Sequence, residues 1–275
     1  LMPVFFLIIL VMVANSFFLP AAGEGMKYLF LPNFSELEPV AILIAIGQTF
    51  FSLSLGMGCL ITYSSYFKKD VSLAKTATQV VSIDAMVAIL SAMIIFPAVF
   101  SFGMQPTEGP SLVFKVLPNV FQQMPVGTLW SILFYALLFI AAITSLISLL
   151  EVVTAYIYEN TSLTRRKAAL LVTGMVLLLG IFASMSFGPL QDVTLFGKTF
   201  FDLLDFTTAK LMLPLNGFFV CLFVGWYLKR SVSYDELTNY GREKAPYFSV
   251  YMFILKYIAP IAIALIFINE LGILS

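Results

Sequence analysis

The chain contains no histidine and only two cysteines, Cys59 and Cys221, which lie far apart in apolar surroundings. The first absence removes the commonest metal ligand and the commonest general base. The second leaves no disulfide framework, and both thiols are expected to be buried as small hydrophobes. Charge is scarce as well: 15 Lys and Arg balance 15 Asp and Glu, together 11% of 275 residues, with no basic block. That argues against a nucleic-acid partner. What is abundant is apolar, with 60% hydrophobic residues and a mean hydropathy of +0.99. Soluble domains hold about 45–50% apolar and about 25% charged residues. The composition therefore defines an integral membrane protein.

The opening residues, LMPVFFLIILVMVANSFFLP, have no initiating Met, basic n-region or small-residue cleavage site, the marks of a signal peptide. Their length is that of a spanning helix, and a start inside a helix leads us to expect a fragment. Apolar runs predict seven spans, at 1–20, 39–67, 77–103, 128–158, 168–188, 206–228 and 247–272. The connections between them alternate in charge. Lys68, Lys69 and Lys75, then Arg165, Arg166 and Lys167, then Lys229, Arg230, Arg242 and Lys244 occupy every second loop, whereas the others hold only Lys27, Lys115 and Lys198. The positive-inside rule makes the first group cytoplasmic, so the chain starts inside and ends outside. The long connection from Met104 to Gly127 reads either as a short helical cap on the outer face or as a plain connector.

Within the second span, FFSLSLGMG (Phe50 to Gly58) gathers helix-weakening residues in the middle of an uncharged run. Glycine costs a helix about 1 kcal/mol relative to alanine, and serine can bond its own backbone. Two readings stand: a helix unwound at mid-membrane, exposing carbonyls to a cation, or a continuous helix packed closely through small residues. Asp84, inside the third span, is a functional candidate because a carboxylate there is expensive. Ala141, Thr144, Ser145 and Leu149 share one face of the fourth span. Their oxygens suit a small cation, or the hydroxyls bond carbonyls of their own helix. Glu151 and Glu159, near the cytoplasmic end of that span, are gate elements or solvated charges. Asp205 follows Asp202 at the outer start of span six, and Lys210 is placed to snorkel. Lys256 in the last span admits a retinal-binding photoreceptor as an alternative, against which the inverted orientation speaks. No nucleophile–base pair supports an enzyme.

The stretch GQTFFSLSLGMGCLITYSSY (Gly47 to Tyr66) resembles the sixth transmembrane helix of the neurotransmitter:sodium symporter family, a known case of discontinuous helices. AAITSLISLLE in span four and FFDLLDF (Phe200 to Phe206) resemble the family's eighth helix and the entrance to its tenth. The resemblance implies an all-α integral membrane protein with part of an inverted-repeat transporter fold. Residues 1–275 would be one incomplete transporter domain covering family helices five to eleven, without the first four. The implied function is sodium-coupled symport of an amino acid across the plasma membrane by alternating access, with the lipid bilayer and the missing N-terminal helices as partners. The runner-up is another sodium-coupled carrier of the same fold.

Carried over by position, the resemblance assigns Ser52 and Asp84 to one sodium ion, and Ala141, Thr144 and Ser145 to a second. It assigns Phe51, Ser54, Met57, Ser145 and Leu149 to the substrate pocket. Gln48 and Asp205 would belong to the outer gate, Tyr66 and Glu159 to the inner one. Two departures matter. Asp84 stands where many members have asparagine, so a fixed negative charge would make chloride unnecessary. Met57 stands where an aromatic is common, and its flexible thioether suits hydrophobic or aromatic amino acids.

Overall fold

The computed structural model describes residues 1–31, 34, 37–68, 71–104 and 112–271. Lys69, residues 105–111 of the long connection and the last residue of span seven lie outside the described residues. Thirteen α-helical segments succeed one another among those described. They are α1 (Met2–Ser16), α2 (Ala22–Phe30), α3 (Pro39–Ser52), α4 (Cys59–Ser65), α5 (Leu73–Ser101), α6 (Leu117–Gln123), α7 (Gly127–Asn160) and α8 (Arg165–Met185). Next comes a rod in which α9 (Phe200–Asp205) and α10 (Leu213–Leu222) are joined by the π-helical turn Phe206–Met212, with a second π turn at Phe223–Tyr227. After α11 (Arg230–Leu237), a last rod joins α12 (Phe248–Phe253) to α13 (Ala259–Glu270) through the π turn Ile254–Ile258.

Local chemistry explains several boundaries. Prolines open α1 and α3 within their first two positions, where the missing N–H would have had no helical partner. At α9 the Thr199 hydroxyl accepts from the Asp202 N–H at 3.2 Å while the Asp202 carboxylate accepts from the Thr199 N–H at 3.3 Å. This reciprocal cap satisfies two otherwise orphaned donors. It also gives Asp202 a structural task and leaves Asp205 for another.

Five predicted spans coincide with helices long and apolar enough to cross a membrane: Leu73–Ser101, Gly127–Asn160, Arg165–Met185, Phe200–Tyr227 and Phe248–Asn269. The other two contain shorter apolar helices, Met2–Ser16 and Val40–Ser52. On α8 only Ala168 and Val172 are buried, while Leu170, Met175, Leu177, Leu178 and Ile181 are exposed. Water would penalise such a face, whereas hydrocarbon solvates it. Both cysteines are buried free thiols, as expected.

The chain divides into two compact units, residues 1–37 with 81–146, and residues 38–80 with 147–275. In the first, Phe5, Ile9, Met12 and Val13 place one helical stripe of α1 in a core with Ile94, Ala98 and Val99 of α5 and Phe134 and Leu137 of α7. Leu117, Val120 and Phe121 of α6 are buried in the same core, so this part of the connection is a packed helix rather than a plain link. Gly25 of α2 lies on the α5 backbone: a Cβ there would come within 2.5 Å of the Pro97 nitrogen.

The second unit packs α3, α10 and α13 together, with α8 against α9. Its connection between residues 229 and 247 is folded. Thr238 is buried and donates to the Tyr234 carbonyl at 2.8 Å. Glu243 accepts from Lys75 Nζ at 2.8 Å and from the Ser72 hydroxyl at 2.7 Å. The Lys75 ammonium, helped by that hydroxyl, holds the Glu243 carboxyl below the usual carboxylate range.

Two neighbouring glycines of α2 give a direct test of the close approach. Gly23 has open space where a Cβ would stand, so Gly23→Ala should leave stability unchanged or raise it by up to ~1 kcal/mol. Gly25→Ala should instead lower it by about 1–3 kcal/mol through overpacking. Thermal unfolding of the full-length protein in detergent checks the difference in sign, and equal effects would contradict the packing of α2 on α5.

Candidate functional site

The interrupted helix belongs to the second unit. α3 stops at Ser52, and the chain passes through Leu53 to Gly58 before α4 begins. Three residues of this turn are left-handed: Ser54 at φ 53°, Gly56 at φ 80° and Gly58 at φ 81°. Glycine adopts that region at little cost, a serine at more. Replacement bonds hold the turn, from Leu55 N–H to the Phe50 carbonyl at 2.9 Å and from Ser54 N–H to the Phe51 carbonyl at 3.1 Å. The Asn216 side-chain amide donates to the Gly56 carbonyl. Gly56 is also needed for space, because a Cβ would stand 2.7 Å from the Leu213 carbonyl oxygen. Gly217, one turn further along α10, leaves room for the Phe50 ring, whose Cε1 would lie 2.7 Å from a Cβ. The turn is thus fitted to α10, backbone against backbone.

A cavity of about 310 Å³ opens between α3, the α9–α10 rod and α13. Gln48, Phe51 and Asp205 all line it, so the structure brings together the two residues that the resemblance assigned to the outer gate and Phe51, which it assigned to the substrate pocket. Lys210, read from sequence only as a snorkelling charge, lines it too. Apolar walls come from Ile44, Phe50, Pro214 and Ile263.

Beyond α4 lies a second polar cluster. Tyr66 donates its phenol to Glu151 Oε1 at 2.9 Å, and Arg165 Nη2 donates to the same oxygen at 2.7 Å. The Glu151 side chain is 18% exposed and that of Arg165 66%. An exposed pair contributes about 0.2–1 kcal/mol, so this one counts mainly as a positioning contact. Glu159 adds a second negative charge to the surroundings of Tyr66. Tyr63, one turn earlier, donates to the Ser148 hydroxyl at 3.2 Å.

The remaining predicted residues are spread over both units. Ser52 is exposed at the end of α3, Ser54 and Met57 are half-buried in the turn, and Leu149 is exposed on the part of α7 in the second unit. In the first unit Asp84 is half-buried on α5. Also there, Thr144 donates its hydroxyl to the Ala141 carbonyl at 2.9 Å and the Ile140 carbonyl at 3.2 Å, while Ser145 is exposed. A hydroxyl that donates still has two acceptor lone pairs, so this back-bonding is compatible with cation ligation. Sequence reasoning missed Asn216 and the partnership of Glu151 with Arg165. The available signal was polarity: an asparagine and a glutamate inside apolar runs.

Spanning helices, a discontinuous helix fitted to a neighbour and polar groups beyond each half define the class of multi-pass membrane proteins with broken helices. The chain belongs to the sodium:neurotransmitter symporter family, whose model matches residues 1–274. It is 40% identical over its whole length to the uncharacterized sodium-dependent transporter YhdH of Bacillus subtilis, covering 61% of that protein. It is 36% identical over 98% of its length to an uncharacterized sodium-dependent transporter of Haemophilus influenzae, covering 59% of it. The crystal structure of MhsT in complex with L-phenylalanine superposes with a TM-score of 0.86 at 40% identity, over 98% of this chain and 61% of MhsT. The chain thus spans about three fifths of the length of these relatives. Family membership supersedes the retinal alternative raised by Lys256, as well as that of a different carrier family.

The seating of the turn can be probed at Gly56. In the full-length protein Gly56→Ala should cost about 1–3 kcal/mol through the left-handed backbone alone, with a further penalty from the Leu213 carbonyl. The expected outcome is a lowered melting temperature. A variant with wild-type melting would contradict the fit of the turn to α10.

Proposed function

We propose that the full-length protein containing this chain is a sodium-coupled symporter that carries a hydrophobic or aromatic amino acid into the cell. The observation that carries this reading is the interrupted segment α3–turn–α4. The cavity with Gln48, Phe51 and Asp205 lies at one half, and the Tyr66–Glu151–Arg165 cluster at the other. A carrier that opens alternately to two sides needs a central element with a closable group toward each side. L-phenylalanine bound to MhsT supports the substrate class.

In this reading the chain crosses the membrane seven times, starting in the cytoplasm and ending outside, with the turn at mid-depth. The ligand assignments implied by the resemblance become proposals: Ser52 and Asp84 for one sodium ion, and Ala141, Thr144 and Ser145 for the other. The donor chemistry supports them, since hydroxyl, carbonyl and carboxylate oxygens are hard ligands for a hard cation. Phe51, Ser54, Met57, Ser145 and Leu149 would line the amino-acid pocket. Gln48 and Asp205 would close the outer side, and Tyr66 with Glu159, together with Glu151 and Arg165, the inner side.

The coupling has a physical cause. A sodium ion beside the Asp84 carboxylate lowers the cost of holding that group in an apolar span and offers a positive charge to the substrate carboxylate. Each ligand therefore strengthens the other's binding. Because Asp84 carries a fixed charge, no chloride is required.

Uptake of labelled L-phenylalanine into proteoliposomes, with an inward sodium gradient and gluconate replacing chloride, tests the whole reading. Uptake driven by sodium and indifferent to chloride is expected. Accumulation without sodium would overturn it. Asp84→Asn should raise the sodium concentration for half-maximal uptake by roughly tenfold, about 1.4 kcal/mol, and an unchanged sodium dependence would remove Asp84 from the ion site. Thr144→Ala should weaken sodium binding by a similar factor of about ten. A wild-type sodium titration of that variant would count against the second ion site.

A further inference from the structure

A second cavity, of about 380 Å³, lies on the second unit and takes no part in the pathway described above. Its lining is Arg230, Ser249, Met252, Phe253, Lys256 and Tyr257. Two of these six side chains are cationic and none is acidic. Two of the three acids of the neighbouring connection have other partners: Glu243 bonds Lys75 and Ser72, and Glu236 accepts from Tyr240 at 2.7 Å.

The two cations are held in place by the helices around them. Arg230 Nη2 donates to the Ser249 hydroxyl at 3.3 Å, and its guanidinium lies 5.3 Å from the centre of the Phe248 ring. Lys256 Nζ lies 5.5 Å from the centre of the Trp226 ring, and the Trp226 indole donates to the Lys256 carbonyl at 3.3 Å. Gly225 permits this approach, since a Cβ there would stand 3.2 Å from Lys256 Cγ. Lys256 is eight residues beyond the start of α12, roughly 12 Å at 1.5 Å per residue. Helical side chains lean toward their helix N-terminus, so its stem runs back toward Arg230. A lysine so placed keeps its stem in hydrocarbon and its ammonium near the headgroups.

The surroundings are those of a membrane boundary. Trp226 and Tyr227 are 58% and 82% exposed, as expected of rings at headgroup depth. Phe253, Tyr257 and Ile261 are exposed on one face of the α12–α13 rod, in a stripe at helical spacing that leads away from the cations. A phosphate between Arg230 and Lys256 would place attached acyl chains on that stripe. Basic pockets between membrane helices hold anionic lipid headgroups in this way.

From this arrangement we infer that the groove is a binding site for an anionic phospholipid, its phosphodiester held by Arg230 and Lys256 and its acyl chain on Phe253, Tyr257 and Ile261. The cations favour an anion, and the exposed apolar stripe selects a lipid over a soluble phosphate. The inference rests on the membrane reading, but on neither the substrate nor the sodium sites.

Native mass spectrometry of the full-length protein, titrated with phosphatidylglycerol or phosphatidylcholine, tests it without any transport measurement. Phosphatidylglycerol should be retained preferentially. R230Q and K256Q should each reduce its retention by about fivefold, and the pair by more, with helix content unchanged. S249D is the second probe should the pair fail to fold. It places a negative charge at an exposed second position of a helix, where an acid is favoured, and should repel the headgroup. Equal retention of the two lipids, or wild-type retention by S249D or by a folded R230Q/K256Q variant, would overturn the site. Displacement of the lipid by millimolar glycerol phosphate would overturn the lipid assignment in favour of a small soluble anion.

Discussion

The backbone cannot leave a hydrogen bond open in hydrocarbon, where each unsatisfied N–H or C=O costs several kcal/mol. In an apolar chain of this kind, a break in a helix is therefore as demanding a structure as a core. The turn from Leu53 to Gly58 meets the demand with bonds from its own N–H groups to Phe50 and Phe51, and with the Asn216 amide on Gly56. Its carbonyl-bearing backbone is pressed on α10 at the one residue type that fits there. The cavity at Phe51 and the cluster at Tyr66 are both reached from this turn along the two halves of the helix. Were the turn to slip, both would lose their register at once.

The fold was legible where a physical rule acts on neighbouring residues. Apolar runs marked the long helices because hydrophobic length is a local property. The Gly and Ser cluster marked the interruption, since left-handed residues and weak helix formers are visible one by one. The short helices at Met2–Ser16 and Pro39–Ser52 were harder to bound, because a turn made of apolar residues reads like the helix beside it. Partnerships across distant sequence were not legible at all. Nothing near Glu151 points to Arg165, and nothing in the turn announces Asn216. The same limit explains Asp202 and Asp205, two acids of equal promise in sequence. Only Asp202 has Thr199 three residues before it, a spacing that foreshadows the cap. The cavity lining then distinguishes Asp205.

The scarcity of charge sharpens these assignments. An ionised group inside an apolar segment is tolerated when it is paired, when it reaches water or when function maintains it. Glu151 has Tyr66 and Arg165. Asp205 and Lys210 face a cavity. Arg230 and Lys256 face a groove whose walls include aromatic rings. Of the charges inside the predicted spans, Glu151, Lys210 and Lys256 each belong to one of these three places, and Asp84 stands apart from them.

The π-helical turns give this placement a mechanical reason. Lys210 lies in the turn Phe206–Met212, Trp226 in Phe223–Tyr227 and Lys256 in Ile254–Ile258. A π turn adds a residue to one turn of helix and rotates the downstream helix about its axis relative to the upstream one. An uninterrupted α-helix would bind the direction of a charged residue to the phase of its apolar stripe. With the extra residue, α9 can keep one phase and α10 another, and the residue between them can face a third direction. The sequence can then bury Leu213 and Cys221 on α10 while Lys210 faces the cavity. On the last rod it can bury Ile263 and Ile266 while Lys256 turns to the groove. A helix built only to span the membrane gains nothing from such turns, since they weaken the hydrogen-bond geometry. Their coincidence with the polar positions indicates that aiming those side chains outweighs the cost.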